Sequence, residues 1–510
     1  MPNQKQKQKT REGILLNIKY AFEHNRINAD NKTDILNLQD ECLKLNNASE
    51  MPLSTDEVID LIESFRQKYS ADQYKDNKNK KEEKAGKRHK KFDYIECADL
   101  LLYKHGLTII NETPALFNGR HWVLGMAEII GIMQEEYGAI NSADRNEVFL
   151  YLKNEFARGK LKNIIPDNKF ISFENGVIDT ETGELLNHGE QYYTSNTIPH
   201  KYRVIGNDEI KNSVVNRFMH DIACYDQDTV QQLYELIGAC LYSGLELNRF
   251  VLLSGSGSNG KSTFLDLIQT ILGDDNYSNV GLSDVACSSY EQAMLVGKLV
   301  NIGAEIPAET MSQKECSVIK SLVFGDRKTV REIYKAPISF RPYAIQIYSC
   351  NELPKFKDSS EGFYRRLLAI PFNARFSLDN NNIDLHMSDK LNDEREIEIA
   401  IYLGINAFMM ALKRESYNVT RQMQELENEI RTDSNSVLQW IASDNIAGDM
   451  FNGCEGSVIY DKYRDWCSSN GYSAYSFTSP KFYKIIQNEL KLEKYRSGNK
   501  YKYRLRKNKY

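Results

Sequence analysis

The pattern of apolar and polar positions changes character several times along the 510 residues. Val58, Ile59, Leu61, Ile62 and Phe65 recur at helical spacing behind Ser54-Thr55-Asp56-Glu57, a capping box. Ile178-Asp-Thr-Glu-Thr-Gly-Glu-Leu185 reads as two short strands around a polar turn. Phe250-Val-Leu-Leu253 is an apolar run of the length of a buried strand, and Phe264-Leu-Asp-Leu-Ile268 has helical character. Residues 232–376 as a whole alternate strand-like and helix-like runs, as an α/β fold does. Near the end, Val458 to Trp466 is an amphipathic helix. A second helix starts at Ser479-Pro480, with Ser479 as N-cap and Pro480 at the first helical position, and turns Phe482, Ile485, Ile486 and Leu490 inward. Leu492–Tyr495 and Lys500–Leu505 then form a hairpin around Ser497-Gly498-Asn499.

These changes predict a multidomain α/β chain: a helical region over 1–74, a linker over 75–91, an α+β domain over 92–231, an α/β core over 232–376, a helical connector over 377–435 and a compact last unit over 436–510. Composition fits an ordinary soluble protein, with 41% hydrophobic and 26% charged residues. No apolar run is long enough for a membrane span, and the start, Met1-Pro-Asn-Gln-Lys, lacks the apolar stretch of a signal peptide. Nine cysteines without a CxxC pair read as reduced thiols of a cytoplasmic protein, not as a zinc site or disulfide framework. The net charge of −5 announces no polyanion partner, but its distribution does. Residues 75–91 hold nine Lys/Arg against three acids and read as a basic linker. Residues 481–510 hold eleven against two, interleaved with aromatics, and point to nucleic acid.

The most specific chemistry lies between the apolar run and the helix. Gly255-Ser256-Gly257-Ser258-Asn259-Gly260-Lys261-Ser262-Thr263 fits the phosphate-binding pattern G-x-x-x-x-G-K-[ST] at a strand-to-helix turn. Backbone N–H groups and a helix N-terminus there can cradle a triphosphate. Lys261 would reach the β- and γ-phosphates of ATP, and the Ser262 hydroxyl would ligate Mg²⁺.

Four further segments follow in a specific order: Lys298 to Glu305, Ile319 to Asp326, Ile345 to Pro354 and Gly362 to Phe372. This succession resembles the superfamily 3 helicases, a AAA+ branch, and most closely their phage, plasmid and poxvirus primase-helicase type. Phe170 to Leu185, with Ile198-Pro199 and Tyr202, resembles that group's N-terminal helicase-associated domain. The resemblance spans roughly residues 92–510. It implies an AAA+ P-loop core, a ring, most often a hexamer, with single-stranded DNA in its channel, and 3′→5′ unwinding. Glu305, the acid expected at the end of a short apolar strand, would polarise the attacking water, help hold Mg²⁺, or both; family members often carry two adjacent acids, whereas Ala304 precedes Glu305 here. Asn351 at a strand end would sense the γ-phosphate. Arg365 or Arg366, by family match Arg366, would be the arginine finger offered to the neighbouring subunit. DNA contact in the family comes from a hairpin before the sensor strand. Its arms here would be Val330 to Tyr334, with Arg331, and Ile338 to Arg341, with Lys335 at the tip.

Helix, helix and hairpin at the C-terminus resemble a winged helix that binds origin duplex. Lys481, Lys484, Lys491, Lys500 and Lys502 would meet phosphates, and Asn488 could read adenine. Residues 1–91 are too few for the archaeo-eukaryotic primase domain of related fusions. The expectation is therefore a helicase and replication initiator of a phage or other mobile element, working with host or phage replication proteins. Two other readings stay open: a non-unwinding DNA-stimulated ATPase, and a DNA-binding regulator whose ATP site controls its oligomeric state.

Overall fold

The computed structural model describes residues 92–506, except 111–112, 160, 166–167, 308–309, 332–337, 359, 378–383 and 473–476, together with scattered positions between 14 and 62. The expected basic linker and Lys335 lie outside the described residues. Packing divides the chain into two compact units, residues 1–118 with 122–165 and residues 119–121 with 166–510.

In the first unit, Ile14, Ile18, Leu38, Cys42, Val58 and Ile62 belong to one apolar cluster. The expected capping box is formed: Ser54 N donates to Glu57 Oε2 at 2.8 Å and Glu57 N to Ser54 Oγ at 3.2 Å. A second cluster joins helices Tyr94–Tyr103, Met126–Tyr137 and Ser142–Ala157 to a four-stranded sheet. Its order is Trp122–Leu124, Thr113–Phe117, Thr108–Ile110, Asn163–Ile164.

The second unit opens with another four-stranded sheet, ordered Leu185–Leu186, Gly176–Asp179, Phe170–Phe173, Thr197–Ile198. The two strands expected around a polar turn are here antiparallel partners, Ile178 opposite Leu185. Asp179 Oδ1 closes the turn by accepting from Glu181 N at 2.8 Å and Thr182 N at 3.3 Å. Ile171 and Phe173 share one continuous core with Val251, Leu253 and Ile347, all within the second unit.

The central sheet has five parallel strands ordered Tyr277–Ser278, Val300–Ile302, Ile345–Cys350, Phe250–Ser254, Leu367–Pro371. Helices cover both faces, which explains why Phe250 to Leu253 are apolar without alternation and at most 1% exposed. The strand order places Ile345–Cys350 between the phosphate-loop strand and Val300–Ile302. Helices Gln227–Cys240 and Glu394–Arg414 brace this layer. They approach closely at a glycine pair: a Cβ on Gly238 would lie 2.1 Å from the Gly404 carbonyl oxygen.

The last part, residues 436–506, has its own core of Val437, Trp440, Tyr463, Phe482, Ile486 and Tyr503. Three helices, Ser436–Ser443, Gly456–Ser469 and Ser479–Glu489, and the hairpin Leu492–Ser497 with Lys500–Leu505 surround it. The first of these helices is not among the sequence expectations. The N-cap of the third is Thr478, not Ser479, so Pro480 sits one position further into the first turn, where its missing N–H costs nothing.

Candidate functional site

The phosphate loop joins Phe250–Ser254 to helix Lys261–Leu272 as expected. Gly257 and Gly260 take φ of 96° and 85°, and Ser258 is held at 46°. A Cβ at Gly260 would lie 2.5 Å from Ile222 Cγ2, so the loop fits only with glycine there. The helix N-cap is Gly260, which supplies no side-chain acceptor, so no cap competes with an anion for the first-turn amides. Gly255 N donates to Cys350 O at 3.1 Å, Phe372 N to Ser254 O at 2.7 Å and Phe376 N to Ser258 O at 2.8 Å, fixing the loop to both neighbouring strands.

Lys261 is 7% exposed. Its Nζ donates to Gly255 O at 2.5 Å, Asn259 Oδ1 at 3.1 Å and Asn351 Oδ1 at 3.3 Å. Asn259 is itself held by a bond from Nδ2 to Phe372 O at 3.2 Å. Burial lowers the pKa of Lys261, against the opposing influence of Cys350 and Glu305. The buried ammonium thus bonds only neutral acceptors, an environment that an incoming anion improves. Ser256 and Ser262 are exposed and Thr263 is half-buried.

Asn351 lies one residue beyond strand Ile345–Cys350, near the strand end expected for it, and its Oδ1 accepts from Lys261 Nζ. Glu305 is placed differently. The strand ends at Ile302, three residues earlier, and Glu305 is exposed on the segment that follows. That segment still tracks the sensor strand, because Gly303 N donates to Ile347 O at 2.9 Å and Ile306 N to Ser349 O at 2.8 Å. The departure from strand form leaves the carboxylate on the loop side of the sheet, where its charge is felt at Lys261. Among the described residues no group of three or more His, Cys, Asp and Glu could hold a metal ion alone. The donor set here is one exposed hydroxyl, Ser262, and one carboxylate, Glu305. It suits an Mg²⁺ that takes most of its ligands from phosphate and water.

Arg365 and Arg366 stand at the other end of the sheet. Phe250 N, at the start of the phosphate-loop strand, donates to Arg366 O at 2.8 Å. The five residues Phe250–Ser254 separate this point from the loop, a span of roughly 15 Å. Arg366 Nη1 donates to Gly362 O, and its guanidinium lies 5.5 Å from the centroid of Phe324, which is 65% exposed. Burial, together with the like charges of Arg365 and Arg249, lowers its pKa, while Asp326 opposes the shift. Neither Arg249 nor Phe324 carries any local sequence signal of this role, since both enter through tertiary packing.

A hairpin precedes strand Ile345–Cys350, with Lys328–Val330 paired antiparallel to Ile338–Phe340; the expected first arm beyond Arg331 lies outside the described residues. Val330 and Phe340 seat it in a separate apolar cluster, and Arg331 follows the first arm on the surface. In the C-terminal part, Lys481, Lys484, Asn488 and Lys491 are all exposed, opposite buried Phe482 and Ile486. Lys500 is engaged instead: its Nζ pairs with Glu455 at 2.8 Å. Lys502 is half-buried and its backbone bridges to Glu455. These two lysines of the hairpin are thus less available than Lys481, Lys484 and Asn488 on the helix and Lys491 just beyond it.

Among the described residues no helix is long and apolar enough to cross a membrane. Residues 54–224 match a family described as D5 N terminal like, and residues 253–366 match a family of unknown function, DUF5906. A protein of Acanthamoeba polyphaga mimivirus, whose name marks it as a candidate helicase, is 32% identical over 221 residues. That match covers 42% of this chain and 23% of the viral protein, so the chain spans about a quarter of its relative's length. Two solved apo structures of the NrS-1 C-terminal region cover 82% of this chain and are themselves covered completely, with TM-scores of 0.43 and 0.42 and identities of 11% and 13%. By sequence, then, the chain is similar to the D5 N-terminal-like family over residues 54–224 and, over part of its length, to a viral protein with a helicase name.

Proposed function

We propose that this chain is an ATP-driven, ring-forming DNA helicase of the superfamily 3 AAA+ type, initiating replication of a phage or related mobile element. The observation that carries the reading is the division of one reaction between two ends of one sheet. Lys261, Asn351 and Glu305 gather at one end, with Arg366 at the other. The D5 N-terminal-like match and the viral relative support it.

Bound ATP with Mg²⁺ would supply the scissile phosphoanhydride and the cation that screens it. The chain's own residues do the rest. The loop amides and Lys261 bind and orient the phosphates, Ser262 contributes a metal ligand, and Asn351 with Glu305 positions the attacking water. Arg366 lies too far from its own loop to act there, so it serves a second copy, and a closed ring satisfies every site. A hexamer with single-stranded DNA in its channel, gripped by Lys335 and Arg331, fits this plan. The three helices and hairpin of residues 436–506 act as a winged helix on origin duplex, through Lys481, Lys484, Lys491 and Asn488.

Steady-state ATPase and strand displacement on a forked DNA substrate test the reading. DNA-stimulated turnover with unwinding is expected, and Lys261→Ala should lower turnover by at least about 100-fold. Turnover without displacement on either fork polarity would turn the assignment to a non-unwinding motor. No turnover at all would leave a DNA-binding regulator.

A further inference from the structure

One guanidinium touches both the segment that carries the arginine finger and the helix that carries the duplex-facing lysines. Arg431, near the end of helix Arg421–Asp433, donates through Nη2 to Glu361 Oε1 at 2.5 Å and to Glu489 Oε1 at 3.2 Å. It also lies 5.8 Å from the ring centroid of Tyr364. Glu361 opens the short helix Glu361–Tyr364, directly before Arg365 and Arg366. Glu489 closes Ser479–Glu489, the helix that bears Lys481, Lys484 and Asn488. The neighbouring Ile430 is fully buried with Phe363, Tyr364 and Leu367, so the helix carrying Arg431 is anchored to the finger segment by apolar packing. At 30% exposure, Arg431 itself is partly screened from water.

We propose that Arg431 is a positioning residue that couples duplex binding at the C-terminal helix to the placement of the Arg365–Arg366 turn. The proposal rests on the functional reading above and adds a regulatory link to it. A guanidinium shared between two carboxylates on separate elements makes the position of each element depend on the other. Duplex phosphates drawn to Lys481 and Lys484 load the helix whose last residue is Glu489. Any change in the Glu489–Arg431 contact is felt at Glu361 and so at the finger turn. Linkage makes the effect mutual: a nucleotide state that moves the finger turn alters duplex affinity by the same factor. The pairs are partly exposed, so the coupling is modest, about threefold, and weakens in salt.

The test measures affinity of the full chain for a mixed-sequence DNA duplex, with and without a non-hydrolysable ATP analogue, alongside steady-state ATPase. Wild type should show a ratio of the two affinities about threefold from one. Glu489→Gln and Arg431→Gln should bring the ratio to one, while analogue affinity without DNA and duplex affinity without nucleotide stay within twofold of wild type (about the scatter of such assays). Arg431→Lys, which keeps the charge, should retain part of the coupling. A wild-type ratio of one in a chain that turns over ATP overturns the proposal. So does a Glu489→Gln ratio equal to that of wild type. Absence of turnover in the wild type, with and without DNA, overturns the functional reading on which the proposal rests.

Discussion

Two buried or bridged charges show how single residues were placed by their neighbours. Lys261 is largely out of water and bonded to three neutral oxygens, and burial lowers its pKa. Glu209 is the opposite case. It accepts from Arg203 at 2.6 Å and from Arg395 at 2.8 Å, and these bonds pull its carboxyl down from 4.5 to about 2. A depressed carboxylate stabilises the fold fully above its unfolded pKa and loses that contribution as pH falls through the folded value. Thermal midpoints of wild type and Glu209→Gln should therefore differ at neutral pH, and the gap should close as pH drops from about 4.5 towards about 2. A gap that stays constant across this window would show that the pairing carries no folding free energy. The phosphate-loop residues were legible because their spacing is a backbone requirement. Arg249, Phe324 and Arg203 were not, since each is brought to its partner by packing between segments far apart in sequence.

At the scale of elements, periodicity told most where one face is buried. The helix Ser479–Glu489 turns Phe482 and Ile486 inward and leaves Lys481, Lys484 and Asn488 outside, as its spacing predicts. If that face meets duplex, Lys481→Ala or Lys484→Ala should lower the salt slope of binding by about one unit on any sequence. Asn488→Ala should instead reduce preference between duplexes by roughly 1–3 kcal/mol. Fluorescence anisotropy over a salt series separates the two. Lys500→Ala should change the slope less, because its ammonium is already paired with Glu455. Short strands were read less well. Lys328–Val330 has three residues, too few for alternation to mark its ends. Glu305 was expected at a strand end, but sequence cannot show that the chain leaves strand form at Ile302 while still bonding to the strand beside it.

At the scale of the molecule, the alternation of strand-like and helix-like runs conveyed a parallel α/β layer but not its strand order. That order decides the chemistry, because inserting Ile345–Cys350 beside Phe250–Ser254 brings Asn351 to Lys261. The fusion of residues 166–231 with the core was also hidden, since Ile171 and Phe173 complete the core of another segment rather than one of their own. If each site is shared between copies, Lys261→Ala and Arg366→Ala chains should complement when mixed. Turnover above that of either variant alone is expected, measured as ATPase against mixing ratio. No gain at any ratio would place Arg366 outside the site.

The placement of Arg366 at the sheet end remote from its own phosphate loop has a consequence for gene dosage. If each site is shared between copies as proposed, a chain defective at both Lys261 and Arg366 would spoil two sites at once, its own and its neighbour's. A live site would need a sound loop from one copy and a sound arginine from the next. In randomly assembled rings the share of live sites would then fall as the square of the sound fraction, so that half-defective populations would keep about a quarter of their sites. Such a chain would act as a poison in the cell that makes it.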